Sequence, residues 1–250
     1  MNSSSPTLLY QFALSHYCEK ARWALDYKGV DYKIIDLVPG LHLFTTKRLA
    51  SRTTVPILIH ERKVIQDSTD IISYLDRAFP ENMLTPDDEN LKKEALELEE
   101  YFDKEIGVHL RRYIYHHVLG DRKLVCLLLL QKAPWYASAV YSVFFPAFRK
   151  LMRKGMNINP ESSQRSAKRL TDALGKLNQQ VRQNDFLVGN RFSRADLTAA
   201  ALLAPLCTPK EHSFEWPPEE IMPEPLLSFK RAHQQDPFFT WVLKMYSEYR

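Results

Sequence analysis

Two short segments gather residue types that can do chemistry on a small molecule. In Ser15-His16-Tyr17-Cys18 a hydroxyl, an imidazole, a phenol and a thiol stand where a helix is expected to begin. A helix N-terminus carries unpaired amides and a partial positive charge, so a thiolate beside it is stabilised and its pKa falls. Cys18, in the first helical turn, is therefore a candidate nucleophile, and the competing reading is a half-buried structural thiol. Ser15 is a candidate N-cap. In the second segment, Asp67-Ser68, Ser68 is placed to cap a following helix and Asp67 to be a solvated charge near its start. His116 and His117 are adjacent, face different directions on a helix and make a poor metal pair. Cys18, Cys126 and Cys207 are odd in number and widely spaced, which excludes a disulfide framework and a zinc cluster and favours a reducing compartment.

The elements that must position these residues are legible in the apolar pattern. Residues 8–12 read as a short buried strand, and 17–28 as a helix with Ala21, Ala24 and Leu25 on one face and Gly29 at its end. Residues 32–37 form a second strand, making a right-handed β-α-β unit. Val55-Pro56-Ile57-Leu58-Ile59-His60 and Lys63-Val64-Ile65 flank Glu61-Arg62 as an antiparallel hairpin. Ile71, Ile72, Leu75 and Phe79 then make one apolar helical face. Residues 81–88 carry a proline and acidic residues without periodicity and read as a linker, which divides the chain into residues 1–80 and an all-helical 89–250.

Composition bounds the function. The 250 residues are 45% hydrophobic and 26% charged, enough for real cores, and the net charge of +4 is too small to imply a nucleic-acid partner. Seven glycines and the absence of G-x-G-x-x-G argue against a phosphate cradle. Met1-Asn2-Ser3-Ser4-Ser5-Pro6 has no secretory pattern, and the expected address is the cytoplasm. Residues 124–148 are strongly apolar, yet Gln131 and Lys132 interrupt them and Pro134 and Pro146 are expected to break them, which argues against a membrane span. The basic run Arg149-Lys150-Leu151-Met152-Arg153-Lys154 reads as a solvated face that could touch a membrane surface, without further support.

The order of the Ser15-His16-Tyr17-Cys18 loop, Val55-Pro56 entering a hairpin, Asp67-Ser68 opening a helix, and Gly189-Asn190-Arg191-Phe192-Ser193-Arg194-Ala195-Asp196 resembles the glutathione transferase superfamily. The resemblance spans nearly the whole chain. It implies a thioredoxin-like N-terminal domain of order β-α-β-α-β-β-α, an all-α C-terminal domain, glutathione as co-substrate, no metal, and a homodimer. It also implies that Ser15 donates its hydroxyl to the glutathione sulfur and that a cis Val55-Pro56 exposes Val55's backbone to the cysteinyl part of glutathione. Asp67 then takes the γ-glutamyl ammonium, while Ser68 and the helix amides take its carboxylate. Tyr10 lies near a tyrosine that some animal classes use, with a core aromatic as the alternative. Many members carry a basic residue before Val-Pro. Here Thr54 stands there, which leaves Lys47, Arg52 and His42 as candidates for the glycyl carboxylate.

The implied activity is conjugation of the glutathione thiolate to small hydrophobic electrophiles, a detoxifying reaction. The alternatives are a non-catalytic binding or interaction module on the same fold and a Cys18-dependent thiol oxidoreductase. Tyr113, Tyr115, His116, His117, Trp135, Tyr136, Tyr141, Phe144 and Phe145 supply either an aromatic pocket wall or, for most of them, ordinary helix-helix core.

Phe192-Ser193-Arg194-Ala195-Asp196-Leu197 has the pattern of a capping box with a hydrophobic staple, so Asp196 is expected to start a helix rather than to catalyse. Ser193→Ala should lower unfolding stability by about 1 kcal/mol in urea titrations; unchanged stability would remove the capping assignment.

Overall fold

The computed structural model describes residues 6–133 and 135–250. Residues 1–5 and Pro134, on which two of the readings above fall, lie outside the described residues, as do the side chains of Tyr136 and Val140. A four-stranded sheet is built from β1 (Leu8–Gln11), β2 (Lys33–Asp36), β3 (Ile57–His60) and β4 (Lys63–Gln66), in the order β2-β1-β3-β4. β1 and β2 run parallel with Leu9 opposite Ile34. β3 is antiparallel to both β1 and β4, with Ile57 opposite Tyr10 and Gln66. Interleaved are α1 (His16–Tyr27), α2 (His42–Leu49) and α3 (Ser68–Ala78). The strands and helices follow one another as β-α-β-α-β-β-α, a thioredoxin-like arrangement, and every longer element after residue 88 is a helix.

The helical part comprises α4 (Glu89–Phe102), α5 (Val108–Val118), α6 (Arg122–Leu129), α7 (Tyr136–Gly155), α8 (Pro160–Val181), α9 (Arg194–Cys207), α10 (Glu224–His233) and α11 (Pro237–Tyr249). Among the described residues no helix is long and apolar enough to cross a membrane. α9 is buried along its whole length and packs against α1, α4 and α11, so it is the axis of the molecule. Its start is the expected box: the Asp196 carboxylate accepts from the Ser193 amide at 2.9 Å and from the Ser193 hydroxyl at 2.7 Å. A second function of Asp196 was not legible in the sequence: its other oxygen accepts from the Leu187 amide at 2.7 Å and ties down the preceding loop. Burial pushes this carboxyl up to about 6.

Two expectations are corrected. Pro146 does not break the apolar stretch but lies inside α7. Tyr141, Phe145 and the half-buried Phe148 anchor the turns on either side, while Pro146 itself is exposed, where water can satisfy the carbonyl its missing N–H leaves unpaired. The cap of α3 is Asp67 rather than Ser68: the Asp67 carboxylate accepts from the Thr69 amide at 3.0 Å, and Ser68 is the first helical residue. A carboxylate at this position also complements the helix dipole.

Segment 81–88 is packed rather than solvated in its middle. Leu84 and Thr85 are buried, and their amides donate to Asp76 of α3 at 3.0 and 2.9 Å. Lys28, just past the end of α1, pairs with the same carboxylate at 2.8 Å.

Charged residues at the heart of the molecule join the two halves. Lys20 on α1 is fully buried and reaches Glu99 at 3.0 Å and Asp103 at 2.8 Å. Glu99 also accepts from Arg194 at the start of α9 and from the Thr69 hydroxyl at 2.9 Å, while Arg194 donates to the Thr69 carbonyl and to the Ser73 and Thr85 hydroxyls. Burial alone would raise the Glu99 carboxyl, but the Lys20 and Arg194 charges outweigh it and hold it below the usual range. Removing one member strands the others in low dielectric. Glu99→Ala should therefore lose about 3–5 kcal/mol of unfolding stability. Glu100→Ala, which breaks only an exposed pair with Lys104, should lose under about 1 kcal/mol. Urea titration of both variants checks the contrast.

Candidate functional site

The sheet topology brings two helix starts to one edge. β1 and β4 run in the same direction, so α1, after β1, and α3, after β4, both begin at the same end of the sheet. Between them the Val55-Pro56 peptide bond is cis. Because Gln66 pairs with Ile57, the chain leaves β4 beside this bond, and the Asp67 amide donates to the Pro56 carbonyl at 3.3 Å. Ser15, Val55 and the Asp67-Ser68 pair, far apart in sequence, are thereby neighbours along one rim.

Ser15 is the N-cap of α1. Its oxygen accepts from the Cys18 amide at 3.4 Å, and its hydroxyl hydrogen is within reach of the Cys18 sulfur on one side and of the cleft on the other. Among the described residues neither the amide nor the carbonyl of the half-buried Val55 is paired within the protein, an edge to which a peptide could add. Asp67 has a positive φ of 104°; one of its oxygens holds Thr69 and the other lies 3.8 Å from Arg52. Ser68 is 3% exposed at the first turn of α3.

Ser15 and Val55 line a cleft of about 740 Å³ between the two halves, whereas Asp67 and Ser68 adjoin it without lining it. The opposite wall comes from the helical part, including Leu110, Ile114 and Tyr115 of α5 and Phe148 and Met152 of α7. Of the three residues considered for the glycyl carboxylate, only His42 lines the cleft, and burial lowers its pKa so that it stands there as a neutral imidazole. Arg52 is engaged with the Gln66 carbonyl at 2.9 Å and faces Asp67 and Asp70, and Lys47 is exposed away from the lining.

The aromatic residues divide in a way the sequence did not show. Tyr113 and Tyr115 line the cleft, Tyr141 and Phe145 are core, and Trp135 and Phe144 are 89% and 62% exposed. Tyr10 is half-buried and outside the lining. Cys18 is fully buried rather than half-buried, and burial raises its thiol pKa despite the Ser15 hydrogen bond.

Sequence reasoning missed Tyr17, His16 and Arg111 as cleft residues. The Tyr17 hydroxyl donates to the Asp103 carbonyl at 2.9 Å, where the helix widens into a π-turn at Asp103–Gly107. Gly107 permits this approach: a Cβ there would fall 2.4 Å from the Tyr17 oxygen. Burial raises the phenol's pKa, so Tyr17 stays protonated at neutral pH. No local sequence pattern marks these contacts, because they depend on how α5 lies across α1.

Residues 9–83 match the family description "Glutathione S-transferase, N-terminal domain" and residues 136–213 match "Glutathione S-transferase, C-terminal domain". With this fold and this rim, the chain belongs to the glutathione transferase superfamily. It is 46% identical over 91 residues to Glutathione S-transferase 1 of Dianthus caryophyllus, a match covering 35% of this chain and 40% of the relative. It is 24% identical over 206 residues to Glutathione S-transferase TCHQD of Arabidopsis thaliana, covering 79% and 76%. In fold it is similar to a glutathione S-transferase of Ceriporiopsis subvermispora solved in complex with glutathione, with a TM-score of 0.69, 14% identity and 98% of each chain covered. It is also similar to a beta-etherase from Sphingobium sp. strain SYK-6, with a TM-score of 0.64, 22% identity, and 98% of this chain and 99% of that one covered.

His16 adds a pH dependence. It is buried, and its Nε2 has no hydrogen-bond partner within the protein. Burial first, then Arg111 and Lys20, lower its pKa from 6.5 to about 3. The unfolded chain takes up a proton near pH 6.5 that the folded chain refuses until about pH 3, so this neutral imidazole supports the fold above pH 6.5 and costs stability as pH falls through that window. Relative to His16→Gln, the wild type should lose about 1.4 kcal/mol per pH unit below 6.5. A pH-independent difference in urea titrations would contradict the neutral, buried state.

Proposed function

We propose that the chain is a glutathione-dependent transferase in which Ser15 holds the glutathione sulfur as a thiolate. The observation that carries this reading is the N-cap geometry of Ser15: its oxygen accepts from a helix amide, and its hydroxyl, beside the positive end of α1, can turn its hydrogen from the buried Cys18 sulfur to a ligand sulfur in the cleft. The unpaired backbone of Val55 at the cis Pro56 pairs with the cysteinyl backbone. Asp67 receives the γ-glutamyl ammonium, and Ser68 with the first amides of α3 receives the carboxylate. Of the three residues considered for the glycyl end, His42 is the one in the lining, and it serves as a neutral imidazole: burial lowers its pKa and its Nδ1 accepts from the Gly40 amide at 3.0 Å.

The thiolate sulfur then bonds to an electrophilic carbon of a small hydrophobic acceptor lying against the α5 and α7 wall. A leaving group departs, or in an addition the neighbouring atom takes a proton. Thiolate stabilisation and proximity supply the rate. Three free cysteines accord with work in the reducing cytoplasm, and the protein acts there as a homodimer that detoxifies such electrophiles. A Cys18-centred oxidoreductase is disfavoured by complete burial of that thiol and its raised pKa.

Calorimetry and a conjugation assay with a generic electrophile test the reading. Ser68→Ala should weaken glutathione binding by about tenfold or more, the worth of one charge-assisted hydrogen bond. Ser15→Ala should lower kcat/KM about a hundredfold with less effect on binding. Absence of binding at millimolar glutathione would favour the non-catalytic module instead.

A further inference from the structure

The α5 wall of the cleft carries a positive charge for which the protein supplies no partner. Arg111 lines the cleft with its guanidinium over the Tyr17 ring, 5.6 Å from the ring centre. Among the described residues it makes no hydrogen bond and no ion pair. Glu219, the one carboxylate among the lining residues, is taken by Lys230 at 2.8 Å, and Asp103 beneath Tyr17 is taken by Lys20 at 2.8 Å. The surroundings on the α5–α8 side add positive charge rather than neutralise it: Arg111, Arg165 and Arg169 all act on Arg112.

A guanidinium held over an aromatic ring with no hydrogen-bond partner in the protein keeps its N–H groups for a planar acceptor, and a carboxylate can take two parallel hydrogen bonds from it. Around it the cleft is apolar, with Leu110, Ile114, Phe148, Met152 and Leu206 in the lining. A neutral occupant would desolvate the cation without supplying a counter-charge, whereas a carboxylate on an apolar body satisfies both surfaces.

We propose that Arg111 selects a carboxylate-bearing, aromatic-sized second substrate. This rests on reading the cleft as the acceptor site of a transferase. Glutathione itself also carries carboxylates, but those are assigned to the rim of the N-terminal domain, so the measurement must separate the two sources.

The test measures calorimetric binding of 3-nitrobenzoate and of its neutral counterpart 3-nitrobenzamide to wild type, R111Q and R111K, each with S-methylglutathione present. Glutathione titrations of the same three proteins run alongside. The wild type should bind the benzoate about tenfold tighter than the amide, R111Q should bind the two alike, and R111K should restore a preference. Glutathione affinity should be the same in all three. Arg111 makes no ion pair within the protein and loses only its contact over the Tyr17 ring, so melting temperatures should fall by no more than about 4 °C, and R111K separates charge from shape. Equal binding of the two probes by wild type, binding of neither, a preference that survives in R111Q, or a loss confined to glutathione would overturn the proposal. The reactive pair 4-chloro-3-nitrobenzoate and 4-chloro-3-nitrobenzamide, in which the glutathione sulfur bonds to C4 as chloride leaves, then tests the parent reading. A binding preference without turnover of either compound removes the transferase assignment and leaves the carboxylate site standing.

Discussion

The structure depends on one buried carboxylate. Glu99 sits between Lys20 of α1 and Arg194 of α9, with Thr69 of α3 donating to it, so four elements from both halves converge on a single side chain. Each charge is affordable inside the protein only because the others are there. This explains how α1 can be buried along most of its length while carrying Glu19, Lys20 and Arg22. Glu19 is neutralised in the same manner by Arg22 and Arg250, at 2.7 Å each. The result is a sharply specified orientation of α1, whose N-terminus, capped by Ser15, opens on the cleft.

The candidate site follows from that orientation. A mixed sheet with β1 and β4 in the same direction places the starts of α1 and α3 together, and the cis peptide before β3 lies between them. The N-terminal half thus provides a rim of backbone donors, hydroxyls and one carboxylate, suited to a charged peptide. The helical half provides a mostly apolar wall interrupted by Arg111. The π-turn at Asp103–Gly107 is the joint between them. It offers Tyr17 a carbonyl and keeps Asp103 turned toward Lys20, and Gly107 leaves room for the phenol.

Particular residues show where the sequence was informative and where it was not. The box at Ser193 and Asp196 was legible because its partners lie within one turn of helix, and the same locality identified Ser15 as a cap. The cap of α3 was assigned one residue too late, since two adjacent polar residues both suit that position and only the backbone, with Asp67 at positive φ, distinguishes them. Pro146 was misjudged because the penalty for an internal proline is local, whereas the packing of Tyr141, Phe145 and Phe148 that holds α7 together is not. Trp135 and Phe144, residues that composition alone would bury, are exposed, because which side of a helix meets the core depends on its neighbours.

The sequence by itself determined the alternation of strands and helices, the change to an all-helical second half, and the local caps, since period and capping chemistry act over a few residues. It also named Ser15, Val55, Pro56, Asp67 and Ser68 through a pattern of order and spacing. Only the tertiary structure decided that these residues share one rim, that Cys18 is sealed away, that His42 rather than Lys47 or Arg52 lines the cleft, and that Arg111 faces it without a counter-charge. Those outcomes are set by contacts between segments up to a hundred residues or more apart, as between Arg194 and Thr69. Burial, pairing and pKa are properties of such contacts, and no single stretch of chain contains both partners.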